Sequence, residues 1–173
     1  NKKALEMAKV GRYAGFDNYE TVFAPTHTVG TLGGTPLVNG GAQAVTYATA
    51  KDTWSQSLIT DGWTAAAANR LKAGGVFTIA NVFAVNPNTK GSTGRLQTFA
   101  VLADAASDGS GNLTATISPP IIISGAFQTV NAQPADNAAL TIKTGSSATA
   151  YRQSLLLDPM AIALVSRPLD IPS

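Results

Sequence analysis

Between Val76 and Ile117 the sequence falls into a two-residue rhythm, and that stretch limits what the rest of the chain can become. Val76–Val85 is rich in β-branched and aromatic residues and breaks at Asn86-Pro87-Asn88. The pattern resumes at Leu96–Leu102, breaks again at Asp108-Gly109-Ser110-Gly111-Asn112, and closes with Leu113–Ile117. β-formers bounded by Gly, Pro, Asn and Asp read as strands joined by turns. Side chains alternate along a strand, so Phe77, Ile79, Phe83 and Val85 are expected on one face. Asn81 interrupts that face and marks a bulge. Leu113, Ala115 and Ile117 oppose Asn112, Thr114 and Thr116, the pattern of a half-solvated antiparallel strand. The stretch predicts a three-stranded meander onto which everything else packs.

The flanking sequence fits the same architecture. The 173 residues suffice for one domain with a real core, and 16 Gly and 9 Pro favour short strands and many turns. Gln43–Thr49 alternates and reads as a strand, Trp54–Ile59 as its return, and Asp61-Gly62 as a hairpin turn. Gly30–Gly41 reads as a glycine-rich linker. Thr64–Leu71 fits either one or two helical turns or a strand with an alanine face. Pro119-Pro120 ends the meander, Ile121–Ile123 is a short apolar run that starts a buried strand, and Leu140–Lys143 is a short strand. Asn1–Val10 predicts a short helix capped by Asn1 and stopped by Gly11. Tyr13, Phe16, Tyr19 and Phe23 read as a segment anchored in a core. About eight short strands make a mainly β fold, a closed or nearly closed antiparallel barrel. Closure also protects strand edges in a chain with only 13% charged residues.

Composition weighs against most chemistry. There is no Cys, so disulfides, zinc knuckles and thiol nucleophiles are excluded. The net charge is +2 and the longest basic cluster is Lys2-Lys3, not the footprint of a specific nucleic-acid reader. No apolar run approaches the roughly 20 residues of a helical membrane span. His27 is the only histidine and has no neighbouring acid or nucleophile in a recognisable pattern, so it is read as structural. Asp104, Asp108 and Gly109–Asn112 lack the spacing and late Glu of a calcium loop and read as a turn. The residues thus predict no catalytic, metal or cofactor site and no enzyme. One binding alternative remains open, a secreted β-barrel adhesin or carbohydrate-binding module using Trp54, Trp63, Tyr13 and Tyr19 as stacking faces.

A set of ordered motifs points more sharply. Ala14-Gly15-Phe16-Asp17 leads to Thr26–Gly30 and Gly40-Gly41-Ala42-Gln43. Leu71–Ala80, Tyr151–Leu157 and Ala161–Pro168 follow. In this order the sequence, from Arg12 to Pro168, resembles the P22-type major capsid (coat) proteins of tailed bacteriophages. The resemblance implies a β-barrel insertion domain at residues 42–150, set into a larger α/β capsid shell fold. Residues 1–41, with the short helix, and 151–173 would connect it to the shell core. The shell core is not in this sequence, so a processed chain or fragment is expected. The implied role is structural: support of coat folding and stability, and contact between capsomers through a charged loop. That loop falls near Ala50–Trp54, which makes Lys51 and Asp52 the contact candidates. The implied partners are other copies of the coat protein, with a scaffolding protein during assembly, and no membrane. The implied location is the virion, after assembly in the bacterial host cytoplasm. The sequence departs from the family pattern in its less charged loop, at Gly75 where many relatives carry an acid, and at Leu157–Met160, where a more polar segment is usual.

Overall fold

The computed structural model describes residues 9–20 and 23–154. They fall into two compact units, one from the segments before His27 and after Tyr151, the other spanning His27–Tyr151.

In the first unit β1 (Lys9–Tyr13) and β2 (Phe16–Tyr19) form an antiparallel hairpin. Its turn is Ala14-Gly15, both at positive φ. The helix predicted over Asn1–Val10 lies outside the described residues except at its end, where Lys9 and Val10 are already extended in β1. The aromatic segment is not the buried anchor expected of it. Phe16 is half-buried, while Tyr19 and Phe23 are exposed.

The second unit is built on one six-stranded antiparallel sheet, with strand order β4-β5-β8-β7-β6-β9. The strands are β4 (Gly34–Val38), β5 (Gln56–Trp63), β6 (Val76–Val85), β7 (Ser92–Val101), β8 (Leu113–Ser118) and β9 (Leu140–Ile142). The predicted meander is present as β6-β7-β8. The two outer strands meet through a Leu37–Ala139 bridge and through Val38 N–H donating to the Ala138 carbonyl at 2.9 Å. The sheet therefore curls into a nearly closed barrel of six strands, fewer than the eight or so expected. Two further strands, β3 (Thr26–Thr28) and β10 (Ala150–Arg152), pair as a ribbon where the chain enters and leaves.

The alternation defines the core. Leu58, Phe77, Ile79, Phe99, Val101, Leu113, Ala115 and Ile117 point inward and are buried. Asn81 is the predicted bulge: its φ is +63 and the β6–β7 register slips between Thr78 and Phe83. The slip has a consequence that strict alternation misses. Past Asn81 Val82 is buried and Phe83 only partly so, while Val85 is buried.

Other local expectations are overturned by pairing. The Gly30–Gly41 linker contains β4, because Leu37 and Val38 pair with Asp61 and Thr60 of β5. Asp61-Gly62 is not a hairpin turn; β5 runs through it to Trp63. Gly62 has φ +70, and a Cβ there would stand 2.3 Å from the Thr35 carbonyl oxygen, so only glycine allows this approach. Gln43–Thr49 is not a strand but a loop leading into a one-turn helix, α1 (Tyr47–Ala50). Thr64–Leu71 is neither helix nor strand; it is irregular, with Leu71 bridged to Ala105. Of the run expected to start a buried strand, Ile121 and Ile122 are buried, Ile123 is exposed, and none joins a strand.

Register assigns the loops to two ends of the barrel. At one end lie the entry near His27, the exit near Tyr151, and the turns around Lys72–Gly75 and Asp104–Asn112. At the opposite end lie the α1 loop, the β6–β7 turn and residues 119–131.

Candidate contact surface

The loop carrying Lys51 and Asp52 is held from several sides. Thr46 caps α1 in an extended conformation, and its Oγ1 accepts from Thr49 N–H at 3.3 Å, as a threonine N-cap does. Trp54 N–H closes the turn on the Ala50 carbonyl at 2.7 Å, and Ala50 is buried beneath it. Val45 N–H donates to the Ile121 carbonyl at 2.9 Å, and Ser118 Oγ to the Trp54 carbonyl at 2.9 Å. Gln56 stitches the base: Oε1 accepts from Ile121 N–H at 2.6 Å and Nε2 donates to the Gln43 carbonyl at 2.9 Å.

On this platform Lys51 Nζ and Asp52 Oδ1 lie 2.8 Å apart, with side chains 48% and 81% exposed. A solvent-exposed pair of adjacent residues contributes little to folding, since water screens it and two side chains are ordered to make it. Both groups stay available to other charges.

Beside it is a feature that sequence reading did not single out. The rings of Tyr47 and Phe127 stack with centroids 3.9 Å apart and planes 9° apart. Both remain exposed, at 40% and 48%. Tyr47 lay in a segment read as a strand, and nothing local connects it to Phe127. The available signal was an aromatic side chain in an otherwise small, polar loop.

The remaining candidates lie at the opposite end of the barrel from this loop. His27 is half-buried beside Gly74, and its Nε2 is sealed from solvent without a hydrogen-bond partner. Asp104 Oδ1 accepts from Ala73 N–H at 2.8 Å, and its carboxylate lies 3.5 Å from Lys72 Nζ. The Ala73 bond is the main reason its pKa falls below the ordinary carboxylate value. This carboxylate serves the Lys72–Gly75 turn. Asp108 caps its own turn, as described below. Among the described residues no group of three or more His, Cys, Asp or Glu is placed to hold a metal ion. Nor is any described helix long and apolar enough to cross a membrane. Of the stacking faces of the carbohydrate alternative, Trp63 is buried, its Nε1 donating to Thr60 Oγ1 at 2.9 Å.

Comparison with known proteins agrees with the sequence motifs. The chain matches the profile of the family described as P22 coat protein, gene protein 5, over residues 2–173. Among solved structures it is similar to the CUS-3 coat protein I-domain, at 30% identity, covering 67% of this chain and 100% of that one, with a TM-score of 0.43. No curated protein sequence matches.

Proposed function

The chain belongs to the P22 coat protein family, and from that premise we propose how its barrel serves the capsid. It is a structural protein of a phage capsid, located in the shell, where many copies assemble. The insertion domain comprises residues 42–150 together with the segment from His27 that supplies β4 to the same sheet. The segments before it and from Arg152 onward connect it to the rest of the coat fold. The side-by-side entry and exit at β3 and β10 support this reading, since an inserted domain must return the chain to where it left.

Two roles follow for the barrel. Its closed sheet supplies a core that supports folding and stability of the coat protein. Its anchored loop presents Lys51 and Asp52 to a neighbouring capsomer, where opposite charges fix register more than they add affinity. Assembly takes place in the host cytoplasm with a scaffolding protein as transient partner. The observation that carries the capsid role is the family match over residues 2–173.

The test is particle formation by the coat protein that contains this chain, co-expressed with its scaffolding protein and viewed by electron microscopy. Wild-type protein is expected to form shells. Lys51→Ala and Asp52→Ala are expected to leave the barrel folded and to reduce shell yield or shell stability. Shells of wild-type yield and denaturant resistance in both variants would remove these residues from the contact.

A further inference from the structure

The barrel closes where the end of β4 meets the segment before β9, and the one Asn-Gly step of the sequence lies on that seam. Asn137 N–H donates to the Val38 carbonyl at 2.9 Å, and Asn39-Gly40 follows at once. Asn39 is exposed, and its N–H donates to the Ile59 carbonyl at 3.1 Å. Gly40 has φ +81, and nothing stands within 4 Å of where its Cβ would be. The peptide bond between the two is gripped at both ends. Gly40 N–H donates to Asp136 Oδ1 at 2.8 Å, and the Asn39 carbonyl accepts from Gln43 Nε2 at 2.9 Å. Both contacts favour loss of the peptide proton. The carboxylate is placed to take it, and the amide donor stabilises the negative charge that spreads onto the carbonyl oxygen. The Asn39 side-chain amide is held loosely, its Nδ2 reaching Asn112 Oδ1 at 3.5 Å, the long limit of a hydrogen bond.

We propose that Asn39-Gly40 is a self-modification site, at which the chain converts its own asparagine to aspartate and isoaspartate. Gly40 N gives its proton to Asp136 and attacks Asn39 Cγ. The new N–Cγ bond closes a succinimide ring. The Cγ–Nδ2 bond breaks, and the nitrogen takes the proton from Asp136 and leaves as ammonia. Water then opens the ring at either carbonyl, giving aspartate from one and isoaspartate from the other. Glycine suits the attacking position because it brings no side chain against the closing ring. Asp136 is the catalytic base, and Gln43 steadies the deprotonated peptide. Either product sets a second negative charge beside Asp136, and like charges repel. Isoaspartate also lengthens the backbone between the bonds to Ile59 and Asp136, so modification loosens the closing seam. The reaction needs no second copy of the chain and stands apart from the capsid role.

The experiment keeps the whole coat protein warm at neutral pH for weeks, in native buffer and in parallel in urea. Peptide mass mapping follows Asn39, and enzymatic methylation scores isoaspartate. Folded wild type is expected to accumulate both products at position 39 faster than the chain in urea, where Asp136 and Gln43 are dispersed. Asp136→Asn keeps a hydrogen-bond acceptor but no base, and is expected to slow the folded protein about tenfold or more. Asp136 is exposed, so this variant is expected to fold, which near-ultraviolet circular dichroism checks first. Should it unfold, the comparison of native and urea-treated wild type decides alone. Asn39 left intact in the folded protein, or modified no faster than in urea, would overturn the proposal. An unchanged rate in folded Asp136→Asn would overturn it as well.

Discussion

The side-chain amide of Gln43 pairs with both backbone groups of Ile59. Its Oε1 accepts from Ile59 N–H at 2.7 Å, and its Nε2 donates to the Ile59 carbonyl at 2.9 Å. Ile59 lies on β5 near the place where β4 departs, so one side chain there imitates a strand residue. The same Nε2 also donates to the Asn39 carbonyl at 2.9 Å and so ties the loop after β4 to β5. Gln43→Glu keeps an acceptor but loses the donors, leaving the Ile59 and Asn39 carbonyls facing a carboxylate. The expected loss is about 1–3 kcal/mol, the cost of leaving such groups unsatisfied. Chemical denaturation measures it, and faster hydrogen exchange at the Ile59 amide would locate it. An unchanged midpoint and unchanged exchange would show that the amide carries no such load.

Phe77 and Phe99 are direct cross-strand partners on β6 and β7, with ring centroids 5.8 Å apart, and both are fully buried. Phe77→Ala is expected to cost about 3–5 kcal/mol, through lost burial and the cavity left behind. Phe83→Ala should cost clearly less, because the Asn81 bulge turns Phe83 partly outward. Urea midpoints of the two variants decide this. Equal losses would contradict the outward turn of Phe83 at the Asn81 bulge.

These residues also mark how far the sequence could be read. β6, β7 and β8 were legible because burial on one face imposes a local two-residue period, visible without knowing the partner strand. β4 was not legible. Thr35-Pro36-Leu37-Val38 is short, carries a proline and lies between glycine pairs, and it becomes a strand only by pairing with residues more than twenty positions away. Gln43–Thr49 failed the other way. Its alternation is real, but the backbone needs of that loop are met by Gln43, Thr46 and the Ile121 carbonyl rather than by a ladder. At the candidate surface, Lys51 and Asp52 came from a family resemblance. The Tyr47–Phe127 stack depends on two loops meeting in space, which no local pattern encodes.

Asp108 makes the acid response of the barrel testable. Its Oδ1 accepts from Ser110 and Asn112 N–H, both at 2.8 Å, and its Oδ2 accepts from Asn112 Nδ2 at 3.0 Å. The Asn112 side-chain bond, followed by the backbone bonds, lowers the carboxyl pKa below its ordinary 3.8. A carboxyl depressed in the folded state stabilises the fold fully above its unfolded pKa. That contribution is lost as pH falls through the folded value. Asp108→Asn should therefore be less stable than wild type near neutral pH, with the difference closing as the pH drops below the ordinary carboxylate range. Melting curves across that range check the direction. A difference that grows towards acid would contradict the cap.

Arg70 carries a charge into the interior, at 6% exposure, where its hydrogen-bond partners are neutral oxygens. Nη2 and Nε donate to the Thr64 carbonyl at 2.7 and 3.1 Å, Nη1 to the Thr31 carbonyl, and Nε also approaches Ser107 Oγ at 3.4 Å. Ser107 Oγ in turn donates to the Thr64 carbonyl at 2.8 Å. One guanidinium thereby joins the entering segment, the end of β5 and the loop after β7, at the end of the barrel where the chain enters and leaves. Desolvating a cation is costly, but its hydrogen bonds are strong, and removing it strands the carbonyls it serves. Arg70→Met keeps much of the volume and removes every donor. It should lower stability by roughly 1.5–3 kcal/mol, the range for hydrogen bonds to a charged group. Arg70→Lys should recover only part of this, because one ammonium cannot reproduce the planar fork that spans these acceptors. If Arg70→Lys matched wild type in denaturation midpoint, charge alone would account for the site. If Arg70→Met did so as well, the guanidinium would not be what holds this end of the barrel together.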